Sequence, residues 1–357
     1  MCIRLHKNVQ HNNLTIILNK KPTIQDIARE LKVTPSTVSR ALNDHPRISV
    51  DTKKAVNKVA TKLNYQPNHV ASALRKGNTN LIGVIVPRID SAFFSSIIRG
   101  VEGIALNKGY NVLVAQSNED IEREKSVIKS FINARIAGVF VSLGKNTTEF
   151  NHYEEAQKLG VPVMQFDRTT SKIDSSQVVI DDYRGGYDAT NHLIEMGCKN
   201  IVHLTSLQSN NIYKERQRGY IDALVENSID INESLIIKGD MLQEQGIAAV
   251  SNILSKGSYD AIFSSSDYSA LGALQVLKEK KIKIPEEVCV VGFSNEKFTD
   301  LVEPSLSTVN QFPETMGKTA TELFFNQIEL NTTDTVPHKI VLQPNLIIRD
   351  SSNRKKT

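Results

Sequence analysis

TIQDIARELKVTPSTVSRALNDHPRIS, residues 23–49, holds two short helical patterns around a two-residue bend. In the first, Ile24, Ile27, Ala28 and Leu31 recur at i, i+3, i+4 and i+7, giving one apolar face, and Thr23 stands where an N-cap belongs. Lys32 and Val33 make the bend. The second pattern opens with Thr34 as N-cap and Pro35 at the first helical position, where a missing N–H costs nothing. Val38, Ala41 and Leu42 face inward, leaving Ser36, Thr37, Ser39 and Arg40 on a short outer face rich in hydrogen-bond donors. Ser49 then caps a third helix, whose Ala55, Val56, Val59, Ala60 and Leu63 are expected to complete a three-helix core.

This is a helix-turn-helix pattern, which presents its second helix to the major groove of DNA. Arg40 suits a bidentate contact to guanine and Ser36 a base edge, while Thr37 and Ser39 suit phosphate, with Thr23, Thr34 and Asn43 at the flanks of the same surface. The rival reading is a small helical module that binds protein through a solvated polar face. Charge argues against it. Residues 1–80 carry 14 Lys and Arg against 4 Asp and Glu, while the remainder carries 29 against 35, so the net charge of +4 hides a basic head on a mildly acidic body.

At 357 residues the chain has room for a small module and one or two larger ones, and 40% hydrophobic with 23% charged residues is a globular composition. Cys2, Cys198 and Cys289 show no metal-ligand spacing and no disulfide framework, which points to a reduced, cytoplasmic setting without a metal. No apolar run approaches the ~18 residues needed to span a membrane. Residues 1–21 read as a disordered extension or as the product of a misplaced start codon. From Leu81 onward nine apolar runs, LIGVIV and VCVVGF among them, alternate with amphipathic windows such as 93–106 and 213–227. That alternation predicts an α/β core with parallel sheets covered on both faces, and nine runs suit two lobes with a cleft at the carboxyl ends of their strands. The polar stretch 168–177 reads as the boundary between them.

The head motif, together with LNYQPNHVASALRKGNTNLIGVIVP, FDR, HLIEMG, ERQRGYIDAL, SDYSALGALQVLKEKKIKIPEEVCVVGF and PSLSTVNQ, resembles the lactose-repressor (LacI/GalR) family of bacterial transcription regulators over residues 22–350. The resemblance implies a homodimer on a near-palindromic operator, a periplasmic-binding-protein-like core sensing a sugar-like molecule, and no cofactor. It divides the chain into a helix-turn-helix domain at 22–66, a hinge helix and linker at 67–78, a core at 79–350 with lobe crossovers near 180, 309 and 338, and a tail at 351–357. In the hinge it implies Asn68 as a cap, Ala71 as a packing residue, Leu74 as a wedge between base pairs and Arg75 along the minor groove. In the cleft it implies an aromatic platform of Phe93 and Phe94, a gripping pair of Arg216 and Asp267, and contacts from Ser294 and Asn295. Each has a plainer alternative: the phenylalanines as core, Asp267 as a helix cap, Arg216 as the partner of Glu215 or another acid. Arg88, Ser266 and Ser294 stand where the family more often has an acid, an amide and an acid, so a sugar is only the leading ligand class. Asp167, Arg168, Asp181 and Asp182 fall near the crossover, where they either line the cleft or lock the hinge, and His203 reads as a core histidine. A solute-binding protein would need an export signal and no basic head, and an enzyme would need a nucleophile or metal constellation; no GxGxxG, P-loop, HExxH or GxSxG is present.

Overall fold

The computed structural model describes residues 22–65, 79–207, 211–254, 259–329 and 336–354, in two compact units, a head and a core, each described by itself. The extension at 1–21 and the hinge residues Asn68, Ala71, Leu74 and Arg75 lie outside the described residues.

The head consists of α1 (Ile24–Leu31), α2 (Pro35–Leu42) and α3 (Val50–Lys62). The backbone N–H and the hydroxyl of Thr23 both donate to the Asp26 carboxylate, at 2.9 and 2.7 Å, which fixes the first turn of α1. Lys32 adopts the left-handed conformation (φ 53°) that ends α1 and redirects the chain. Thr34 Oγ1 accepts the Thr37 N–H at 3.2 Å, and Ser49 Oγ accepts the Thr52 N–H at 3.3 Å, so both expected caps form. Ile27, Val38 and Val56 are fully buried at the centre of the three helices. Ala55, expected inside, is exposed: it lies about 100° round the helix from Val56, outside the stripe formed by Val56, Val59 and Ala60.

In the core the chain runs β1 (Leu81–Val86), α4 (Ala92–Asn107), β2 (Asn111–Gln116), α5 (Ile121–Asn133), β3 (Gly138–Val141), α6 (Asn151–Lys158), β4 (Val163–Phe166) and β5 (Ser176–Ile180). There follow α7 (Asp182–Glu195), β6 (Ile201–Ser206), α8 (Asn211–Glu226), β7 (Ile236–Gly239), α9 (Gln243–Ile253), β8 (Ala261–Ser264), α10 (Asp267–Glu279), β9 (Cys289–Ser294) and β10 (Ser307–Asn310). The last elements are α11 (Pro313–Glu329), β11 (Lys339–Leu342) and β12 (Asn345–Ile347). The strands form two six-stranded sheets, ordered β11-β5-β4-β3-β1-β2 and β12-β10-β9-β8-β6-β7. The first is wholly parallel, and the second departs from parallel only where β12 pairs with β10. Central strands such as β3, β4, β6 and β8 are buried along their whole length, as sheets covered on both faces require.

Three strands, β10, β11 and β12, extend the nine apolar runs. Each has only three or four residues, and β11 and β12 are edges with partly exposed side chains, so neither length nor hydrophobicity marks them. Residues 168–177 are not the lobe boundary, because the chain returns from them into β5 of the same sheet. The chain passes between lobes at Asp181, again at Gln311–Phe312, and last between Leu342 and Asn345. The third passage falls later than residue 338 because β11 first completes the edge of the first sheet. The expected tail is part of the second lobe at least to Arg354: Ser351 and Ser352 are fully buried, Ser351 Oγ donates to the Val290 carbonyl at 2.6 Å, and Arg354 Nε donates to the Pro285 carbonyl at 2.9 Å. Among the described residues no helix is long and apolar enough to cross a membrane.

Candidate functional site

On the head, Ser36 and Arg40 are exposed on α2, with Thr37 and Ser39 half-buried beside them. Thr34 Oγ1 lies 2.8 Å from Ser36 Oγ and 2.9 Å from Thr37 Oγ1, so three hydroxyls form one cluster at the start of the helix. Asn43 folds back, its Nδ2 donating to the Ser39 carbonyl at 2.7 Å, and occupies the C-cap of α2. Arg40 extends from this face with no hydrogen-bond partner for its guanidinium among the described residues.

In the core, α7 and α8 cross closely because Gly186 and Gly219 face each other's helix backbone: a Cβ on either would run into the carbonyl of Arg216 or of Tyr183. That crossing sets Asp182, the first residue of α7, against Arg216 on α8. Arg216 is 4% exposed. Its Nε donates to Asp182 Oδ1 at 2.8 Å, its Nη1 to the Ser265 carbonyl at 2.9 Å and its Nη2 to Gln311 Oε1 at 3.2 Å. The guanidinium also stacks 3.6 Å above the centre of the Phe293 ring. Three of its five N–H groups thus have protein acceptors, and one face of the group lies on Phe293. Glu215, weighed as its partner, instead pairs with Arg218 at 2.5 Å.

Asp267 is not among the hydrogen-bond acceptors of Arg216. It is fully buried, accepting the Thr308 hydroxyl at 2.6 Å and the Glu296 N–H at 2.8 Å, so it staples the loop after β9 to β10 and is no free cap of α10. Burial lifts its carboxyl to about 7 against those hydrogen bonds. Ser294 and Asn295 both have positive φ, 129° and 54°. Ser294 Oγ accepts Gln311 Nε2 at 2.9 Å, and Asn295 Oδ1 accepts Arg349 Nη2 at 3.0 Å. Phe94 is a core residue at 5% exposure; Phe93 is half-buried and meets it edge-on at 5.2 Å. Arg88 forms an exposed pair with Asp90 at 2.7 Å.

A cavity of about 660 Å³ opens beside this cluster, and none of the six residues expected at the ligand lines it. Its walls come from the loop 143–150, the segment 167–170, the crossover 179–183, the start of α8 and the β11 edge. Asp167, Arg168, Asp181 and Asp182 all line it, which answers the question the sequence left open about them; Asp182 at the same time ties back to Arg216. Asp167 accepts the Ser142 hydroxyl at 2.9 Å and is raised by burial, with the Arg168 charge and that hydroxyl opposing the rise. Burial likewise pushes Asp182 up to about 6, with the Arg216 charge holding it from going further. Lys145, Thr148, Thr170, Tyr183 and Lys339 on these walls escaped sequence reasoning, because nothing in the spacing of loop residues reports which cavity they will face. His203 is a core residue, stacked between Tyr220 and Phe263 at 4.7 and 4.8 Å, and burial holds it down to about 3. Among the described residues no group of acids, histidines and cysteines is disposed to hold a metal.

Comparison with known proteins finds chains of similar sequence and fold. Residues 23–68 match the family model "Bacterial regulatory proteins, lacI family", and residues 190–352 match "Periplasmic binding protein-like domain". Catabolite control protein A of Priestia megaterium is 31% identical over 324 residues, spanning 89% of this chain and 97% of that protein. The solved complex of the transcriptional regulator CelR with cellobiose superposes with a TM-score of 0.70 at 28% identity, over 92% of this chain and 99% of that one. The lac repressor dimer bound to operator and an anti-inducer gives a TM-score of 0.81 at 22% identity, over 93% and 99%, which is a likeness of fold.

Proposed function

The chain belongs to the lacI family of bacterial regulatory proteins, and we propose that it is a cytoplasmic, homodimeric repressor of a near-palindromic operator, governed by a sugar-like effector held between the lobes of its core. The membership makes it a DNA-binding transcriptional regulator and not an enzyme. The observation that carries the reading is the outer face of α2, where Arg40, without a guanidinium partner among the described residues, stands beside exposed hydroxyls on a basic head. Arg40 and Ser36 read bases; Thr37, Ser39, Thr23, Thr34 and Asn43 position the head on the backbone or brace its ends. Leu74 serves as the minor-groove wedge, with Asn68, Ala71 and Arg75 beside it.

For the effector, a cavity of about 660 Å³ suits a mono- or disaccharide. Acids and bases both line it, with threonine hydroxyls between them, a set that pairs with sugar hydroxyls in either sense of hydrogen bond. In this reading Arg216, Asp267, Ser294 and Asn295 brace the cavity from behind instead of gripping the ligand. A second copy is supported by the apolar side chains exposed along β2 and the end of α4, Leu113, Val114 and Leu106, on an edge strand that a monomer would leave open. The coupling is linkage: the effector shifts operator affinity by the difference between its affinities for the two states of the protein.

The test is fluorescence anisotropy of the purified protein on its own upstream DNA, across a salt series and a panel of sugars, sugar acids, sugar phosphates and purines. Site-specific, salt-sensitive binding altered by a panel member is the expected result. Binding no tighter than to random DNA would overturn the reading of α2.

A further inference from the structure

The wall of the cavity between β3 and α6 is held from outside the cavity. Gly144, Lys145, Thr147 and Thr148 line it, whereas Glu119 and Glu124, from the segment that opens α5, do not. Glu119 uses both carboxylate oxygens: Oε2 accepts the Lys145 N–H at 2.6 Å, and Oε1 accepts Arg168 Nη1 at 2.9 Å. Its backbone carbonyl accepts Asn146 Nδ2 at 3.1 Å. Glu124 is fully buried. Its Oε2 accepts the Thr147 hydroxyl at 3.1 Å and the Gly144 N–H at 3.4 Å, and its Oε1 lies 3.1 Å from His152 Nε2 in the first turn of α6. The other ring nitrogen of His152 finds no partner among the described residues, so Glu124 is what orients the imidazole.

Two further observations mark this clasp as built for position. Asn118 and Glu119 both adopt left-handed backbone, φ 55° and 61°, which non-glycine residues hold only where the surroundings over-determine them. And Glu124, which among the described residues has no Lys or Arg partner, is buried with its hydrogen bonds made to Gly144, Thr147 and His152, so the loop that supplies two of its donors is tied to it.

We propose that Glu119 and Glu124 are positioning residues for the effector: they fix the 143–150 wall and Arg168 from outside the cavity, and so set effector affinity without touching operator affinity. The proposal rests on the effector occupying this cavity. It is tested in the full-length protein by Glu124→Gln and, should that variant lose cooperative unfolding, by the partly exposed Glu119→Gln.

Hydrogen exchange is the first reading. Amides from Gly144 to Thr148 are expected to exchange about tenfold faster, with β1 and the second lobe unchanged. Titration of the operator complex with D-ribose and with cellobiose is the second. The half-effective concentration of a sugar that shifts the unsubstituted protein should rise about tenfold, with sugar-free operator affinity held within about twofold. Where neither sugar acts on the unsubstituted protein, exchange alone decides. Unchanged exchange at 144–148, uniform acceleration across the core in both variants, or a loosened wall with an unmoved half-effective concentration would each overturn the clasp. Absence of operator binding by the unsubstituted protein would instead be a failure of the functional reading.

Discussion

Arg40 on the head and Arg216 in the core are both arginines in helices rich in polar side chains, and the protein treats them in opposite ways. Arg40 is exposed and offers its donors outward. Arg216 spends its donors on Asp182, Ser265 and Gln311 and lays its flat face on Phe293. A guanidinium left open is a tool for recognition; one tied to three partners acts as a strut.

Removing the strut should have the largest effect. Arg216→Ala leaves Asp182 buried without its cation and should cost about 3–5 kcal/mol of core stability, read by chemical denaturation of the full chain. A loss below about 1 kcal/mol would mean that the guanidinium is available to ligand after all.

Next comes Asp267, a buried carboxyl outside the cavity wall. Its folded value of about 7 lies above the ordinary 3.8, so the folded state keeps a proton that the unfolded chain releases. Its contribution is complete below the ordinary value and is lost as pH rises through about 7. Asp267→Asn cannot ionise. The stability difference between the two proteins should therefore move in favour of the variant as pH climbs over that interval, whatever constant offset the lost acceptor adds. A difference that stays flat with pH would place the Asp267 charge in contact with solvent.

Arg40→Ala belongs to the free class: operator affinity should fall by about 1–3 kcal/mol, with relaxed preference at one base pair, while denaturation is unchanged. A uniform loss on every sequence would make Arg40 a phosphate contact. Arg88→Ala, which breaks only an exposed pair with Asp90, should change stability by less than about 1 kcal/mol. A larger change would show Arg88 working across the cleft.

How much of this was legible depends on how far apart the interacting residues stand in the chain. The head was readable nearly to the residue, because its caps and apolar stripe repeat within a turn or two; Ala55 was misplaced by a single position on α3. The sequence groups the cleft residues, but not their hydrogen-bond partners. The hydrogen-bond partners of Arg216 lie 34, 49 and 95 residues away in sequence, and those of Glu124 lie 20, 23 and 28 away. No local spacing reports such pairs.

By itself the sequence determined the helix-turn-helix, the basic head, the two parallel lobes and the resemblance to the family, since all of these rest on short periodicities, charge counts and contiguous motifs. Tertiary structure alone decided that Arg216 is tied to Asp182, Ser265 and Gln311 and that the cavity lies beside the expected ligand residues. It also decided that β11 and β12 close the sheets as edges, and that Ser351 to Arg354 belong to the core. Each of these is a choice of partner made when distant segments pack, and the energy of that choice comes from burial and from completing the hydrogen bonds of buried groups.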